Sequence, residues 1–178
     1  MNRCARRAAL AVAFIAALAP SVGEASAQTA RIGPDSQLPV PRYVALRSAG
    51  VNGRRGPGPE HRIEWIYERA GLPLLVTAES GPWRRVRDPG GAQVWIHSIY
   101  LENRRTAYVV GGRLGTATLR RSPRAGARVV AYLERGVVAD LEACKGGWRK
   151  LAVDDRDGWV EASSLWGAES CASVAPTP

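Results

Sequence analysis

The chain has 178 residues, 46% of them hydrophobic and 23% charged, with a net charge of +9. That length holds one ordinary domain or two small ones, and that composition excludes a low-complexity or disordered chain. Nineteen glycines and twelve prolines favour short strands joined by tight loops over long helices.

The first residues read as a secretory signal peptide. Arg3, Arg6 and Arg7 precede an uncharged apolar run, Ala8 to Ala19, and Ala25-Ser26-Ala27 is a small-x-small cleavage site, so cleavage is expected after Ala27. The apolar run is too short to span a bilayer, which takes about 20 apolar residues. Cys4 precedes that run and is not placed for lipid attachment at the cleavage point. The mature chain is therefore expected in the periplasm or secreted, with no membrane span. Removing residues 1–27 takes away Arg3, Arg6, Arg7 and Glu24, three positive charges and one negative, which lowers the net charge from +9 to +7. A basic exported protein is drawn to anionic envelope surfaces, and export disfavours nucleic acid as a partner.

Residues 28–41 carry Pro34, Pro39 and Pro41 and no periodicity, and read as an extended lead-in. The chain then repeats itself. Val51-Asn52-Gly53-Arg54-Arg55-Gly56-Pro57 lies over Ala117-Thr118-Leu119-Arg120-Arg121-Ser122-Pro123, and Ile66 to Gly71 lies over Tyr132 to Gly136. Gly81-Pro82-Trp83-Arg84-Arg85-Val86 lies over Gly146-Gly147-Trp148-Arg149-Lys150-Leu151, and Trp95 through Leu101 lies over Trp159 through Leu165. Four blocks in the same order mark two tandem modules, residues 42–104 and 105–168. A domain of about 60 residues is marginal alone, and the short charged link between the copies argues for packing of one on the other. Residues 169–178 read as a flexible tail.

Within each module the sequence alternates between β-rich runs and turns. Leu74 to Ala78 and Val137 to Leu141 read as strands. Asp88-Pro89-Gly90-Gly91 and Asp154-Asp155-Arg156-Asp157-Gly158 read as hairpin turns. The expectation is an all-β chain of two small barrels, each with about five short strands. A single helical turn is expected near Ser98–Tyr100 and near Ser163–Leu165. Period-two alternation pairs Val86 with Val94 and turns both inward with Ile96, joined by the loop Pro89-Gly90-Gly91. Trp83, Arg85 and Arg87 then share the other face with Trp95 and His97. In the second copy, Leu151 opposite Val160 puts Trp148 and Lys150 outward with Trp159 and Glu161, with Lys150 facing Glu161. Two readings of the repeated Trp pair stand open. The rings fold over loops or fill the seam between modules, or they form an aromatic platform for a sugar or peptide.

Cys144 and Cys171 are the mature cysteines. An oxidising compartment allows them to pair, pinning the tail to the second module, but sequence does not supply the geometry that a disulfide requires.

These blocks resemble the bacterial SH3-like (Src-homology-3-like) domain: Val-Asn-x-Arg-x-Gly-Pro, a Gly before an apolar strand, Gly-x-Trp-x-x-Val, then Trp-Ile/Val-x-x-x-x-Leu. The double arrangement behind a signal peptide resembles tandem SH3-like proteins of proteobacteria. The resemblance covers roughly residues 42–168 and implies a compact β-barrel directed at cell-wall or periplasmic partners; such domains also serve wall hydrolases as accessory modules. The chain departs from the pattern at Gly53, where an apolar residue is usual, and at Thr118, where Asn is usual. Gly53 is expected to weaken the first strand of copy one.

No catalytic constellation emerges, so the chain is not expected to be an enzyme. The histidines, His61 and His97, both lie in copy one, whereas Cys144 lies in copy two. Two His and two Cys so widely spread do not make a metal site, and Asp154, Asp155 and Asp157 lack the Gly and terminal Glu of a calcium loop. No cofactor or metal is expected. The expected function is binding of peptidoglycan or another envelope polymer through Trp83, Arg85, Trp95, Trp148, Lys150 and Trp159. The alternative is a periplasmic protein–protein adaptor or scaffold.

Overall fold

The computed structural model describes residues 31–112 and 115–168. The expected signal peptide, the tail and Cys171 lie outside the described residues. The chain is all-β: β1 (Arg31–Ile32), β2 (Pro39–Val40), β3 (Arg42–Leu46), β4 (Val51–Arg54), β5 (Ile63–Tyr67), β6 (Pro73–Ser80), β7 (Trp83–Arg87), β8 (Gln93–His97) and β9 (Leu101–Glu102), then β10 (Thr106–Val109), β11 (Thr116–Arg120), β12 (Val129–Glu134), β13 (Val138–Lys145), β14 (Trp148–Val153), β15 (Arg156–Glu161) and β16 (Leu165–Trp166). Among the described residues, helix is confined to two 3₁₀ turns, Ser98–Tyr100 and Ala162–Ser164.

Two seven-stranded sheets, one per module, replace the five strands expected. Their orders are β5-β4-β8-β7-β6-β3-β9 and β12-β11-β15-β14-β13-β10-β16, so the second repeats the topology of the first. The extra strands are the leading ones, β3 and β10, and the two-residue strands β9 and β16 that pair with them. In the first sheet every strand sends a side chain into one core: Leu46, Val51, Tyr67, Leu74, Val86, Ile96 and Leu101. Val109, Leu119, Leu133, Leu141, Leu151, Val160 and Leu165 do the same in the second.

The β7–β8 hairpin has the expected register. Val86 faces Val94, both are buried with Ile96, and the Asp88 amide donates to the Ala92 carbonyl at 3.0 Å, which leaves residues 89–91 as the loop. The β14–β15 register differs by two residues. Leu151 faces Gly158, Lys150 faces Trp159 and Trp148 faces Glu161. The cause is a tighter turn. Val153 already pairs with Arg156, so Asp154 and Asp155 alone make the loop, with Asp154 at φ 52°, a left-handed conformation that Asp tolerates better than most residues. A shift of two preserves side-chain parity, so the inward and outward sets stand as expected, while the Lys150–Glu161 pairing does not.

Residues 31–40 are more than an extended lead-in. β1 and β2 pair as a small antiparallel hairpin. The modules meet along β3, β6, β10 and β16. Tyr43 meets Trp166 edge-on with ring centres 5.1 Å apart, and Gly167 lies against Pro73 so closely that a Cβ there would sit 2.9 Å from the proline. Arg104 grips Asp140 with two 2.6 Å hydrogen bonds, and Arg69 donates to the Gly136 carbonyl.

Candidate functional site

Trp83, Trp95, Trp148 and Trp159 are all half-buried. They stand on the outer faces of β7, β8, β14 and β15, away from the strands that form the seam. The register sets two cations beside each later Trp: Arg54 and Arg85 face Trp95 across its two neighbouring strands, and Arg120 and Lys150 face Trp159. Lys150 is already engaged. Its Nζ lies 2.8 Å from Glu142 and 3.0 Å from Asp157, and these carboxylates hold its pKa above the ordinary lysine value. Arg85 is exposed.

Each module carries a cleft at one place on this face. β4 pairs with β8 at Arg54 and Trp95, and β11 pairs with β15 at Arg120 and Trp159. Two residues further along, the strands have parted. Asn52 and His97 in module one, and Thr118 and Glu161 in module two, stand at the rims of the resulting gaps. The following 3₁₀ turn lies at the end of each gap. The cleft of module one encloses about 390 Å³ and is lined by Gly50, Asn52, Arg54, Pro59, Trp83, His97, Ile99 and Tyr100. Ile99 and Tyr100 are 57% and 42% exposed. His97 is held in place: its Nδ1 accepts from the Ile99 amide at 3.3 Å, and its ring meets Trp83 edge-on at 5.3 Å. The Arg54 Nη1 donates to the His61 carbonyl at 2.7 Å, which ties the loop after β4 to the cleft. The cleft of module two encloses about 270 Å³ and is lined by Gly112, Thr116, Thr118, Arg120, Tyr132, Glu161 and Ser164.

The bacterial SH3 domain model matches the chain twice, over residues 47–102 and 115–167, more than half of its length. The chain belongs to the bacterial SH3 domain family. No curated protein matches it. Solved structures similar to it include NlpC2 from Trichomonas vaginalis, 15% identical over 71% of this chain and 48% of that one with a TM-score of 0.32, and NlpC1 from the same organism, 14% identical over 75% and 48% with a TM-score of 0.31. The chain spans about half the length of each.

Of the six residues singled out in sequence, Trp83 alone lines the cleft of its SH3 domain; the others sit further along the same faces. Alternation had placed His97 and Glu161 on these faces. Pro59, Ile99 and Tyr100 carried no periodic signal, because loops and a single 3₁₀ turn bring them there. Two buried arginines also went unread. Arg84 and Arg149 point inward on β7 and β14 and are 8% and 3% exposed. Each caps its own hairpin turn: Arg84 Nη1 donates to the Gly81 and Trp83 carbonyls at 2.6 and 3.0 Å, and Arg149 Nη1 to those of Gly146 and Trp148 at 2.9 and 3.0 Å. Cys144 is disulfide-bonded. Among the described residues no group of three or more His, Cys, Asp or Glu is placed to hold a metal ion, and no helix is long and apolar enough to cross a membrane.

Proposed function

We propose that the chain is an exported, non-catalytic binding protein that holds peptidoglycan or another cell-envelope polymer on the outer faces of its two SH3 domains. The observation that supports this reading is the module-one cleft, where Trp83, Tyr100 and Ile99 surround a gap bordered by Arg54 and His97. Partly exposed aromatic rings beside a cation are what a binding hot spot needs, and a mature charge of +7 draws an anionic polymer toward it. The disulfide at Cys144 removes that thiol as a nucleophile, which supports the non-catalytic reading. Each sheet is taken to close on itself as a barrel, since all seven strands feed one core and a flat sheet presents its faces to two.

Retention of the purified mature chain on isolated sacculi tests the proposal. Binding is expected at low salt, weakening as salt rises, and Trp83→Ala with Tyr100→Ala should reduce it at least ~10-fold. No retention at low salt would overturn it. The adaptor reading draws on a different surface. Ile63, Trp65 and Ile66 on edge strand β5 are 40%, 53% and 52% exposed, and an apolar edge strand suits a protein partner. Loss of partner capture in Trp65→Ala, with sacculus retention intact, would favour that reading.

A further inference from the structure

The two clefts occupy one place in a duplicated fold, yet their chemistry has diverged position by position. Thr118 stands where module one has Asn52, Glu161 where it has His97, and Ser164 where it has Tyr100, while Arg54 and Arg120 correspond. The equivalence rests on matched hydrogen bonds: Arg54 Nη1 to the His61 carbonyl against Arg120 Nη1 to that of Ala127, and the Arg47 amide to the Tyr100 carbonyl against the Val110 amide to that of Ser164. We propose that the module-two cleft is a saccharide site, which takes one ring of a neutral glycan on the exposed face of Tyr132.

Four observations carry this. Tyr132 is 68% exposed, the most exposed of the large hydrophobic residues described, and it faces Thr118 directly across β11–β12, so its ring stands on the cleft side of the sheet. The remaining wall is polar: hydroxyls of Thr116, Thr118 and Ser164, the Glu161 carboxylate and the Arg120 guanidinium. A carboxylate accepts from two neighbouring hydroxyls at once, and a guanidinium donates back. The two charges are opposite, which favours a neutral ligand over an anion or a cation. The volume, about 270 Å³, lies below the range of pockets for drug-sized ligands and suits a single ring. The module-one cleft, with Ile99 and Pro59 in its wall and no carboxylate, does not offer this set.

The inference deepens the proposed function and rests on it for the source of the glycan, yet the two fail separately. The probe is the tetramer of N-acetylglucosamine, titrated into the mature chain and followed by amide chemical shifts. Shifts are expected at Thr118, Tyr132, Glu161 and Ser164. Tyr132→Ala should weaken binding at least ~10-fold and Glu161→Gln at least ~3-fold, while Ile32→Ala, on exposed β1, should leave it unchanged. Tyr132 is exposed, so its truncation leaves the core intact, and unchanged shifts elsewhere check this. Absence of shifts at millimolar tetramer, shifts centred on the module-one cleft, or indifference to Tyr132→Ala would each overturn the inference. Sacculus retention without saccharide binding refutes the inference and leaves the proposed function standing; loss of both refutes both.

Discussion

At Gly53 the usual apolar side chain is missing because its space is taken. A Cβ there would lie 2.7 Å from the Val94 Cγ2 and 3.2 Å from the Tyr67 ring. The second copy solves the same packing problem in reverse. Leu119 occupies the position of Gly53, and a Cβ on Gly158, which stands where Val94 does, would lie 2.8 Å from both the Arg120 carbonyl oxygen and the Leu119 Cγ. Glycine thus carries a packing role here, and the weakening expected of β4 is offset by Tyr67 and Val94. Gly53→Leu alone should cost about 1–3 kcal/mol from overpacking. Combined with Val94→Gly it should cost at least ~1 kcal/mol less than the sum of the two single changes, a coupling readable by urea denaturation; additive costs would refute the reciprocity. Tyr67 brings a second obligation. Its hydroxyl donates to the buried Asp88 at 3.1 Å, and burial together with that carboxylate pushes the phenol's pKa up. The second copy drops the pair and places Leu133 and Val153 there. Tyr67→Phe should cost about 1–2 kcal/mol, measured the same way, because Asp88 loses a buried donor.

Among elements, β6 and β13 differ in chemistry at one matching position. Glu79 on β6 receives the amides of Asp35 and Ser36 at 3.1 and 3.0 Å, the Ser36 hydroxyl at 2.6 Å and Arg42 at 2.8 Å. It thereby clamps the β1–β2 hairpin onto module one. Gly33 must be glycine for this, since a Cβ there would lie 2.4 Å from the Glu79 Oε2. The corresponding position on β13 is Cys144, which is disulfide-bonded, and Arg149 Nε nearby donates to the Ala168 carbonyl at 2.5 Å. Burial by itself would raise the Glu79 pKa, but the hydrogen bonds from Ser36, Arg42 and Asp35 outweigh it and hold the carboxyl at about 2, below its ordinary 4.5. A depressed carboxylate pKa stabilises the fold above pH 4.5 and loses that contribution as pH falls from 4.5 toward 2. Thermal unfolding between pH 7 and 2.5 should show a drop in Tm across that window. Glu79→Gln should lower Tm at neutral pH and flatten the drop; an unchanged pH profile in this variant would refute the clamp. The donors to Glu79 could not be read, because these bonds join residues up to 44 positions apart; the turn bonds of Arg84 and Arg149 are local, but their burial comes from the packing of the folded sheets.

For the whole molecule, the seam decides whether two marginal modules behave as one. Its apolar part is Tyr43 on Trp166 and Pro73 on Gly167. The Arg104–Asp140 pair is half-exposed, with side chains 52% and 42% accessible, and such pairs contribute less than about 1 kcal/mol. Asp140→Asn should therefore leave a single unfolding transition nearly unmoved. Trp166→Ala should lower stability by about 1–3 kcal/mol and separate the transition into two in calorimetry; a single unshifted transition would show that the ring is not what couples the modules. What the sequence by itself determined is the duplication, the β class, the inward and outward sets of each hairpin and the family, because period-two alternation and turn residues are local signals. The tertiary structure decided the two-residue shift in β14–β15, the clamp at Glu79, the seam and the clefts. A buried carboxylate's donors and the splay of two strands depend on residues brought together from distant parts of the chain, of which local pattern holds no record; the turn at Asp154 is local, but the same residues suit a longer or a shorter loop, and only the folded hairpin shows which.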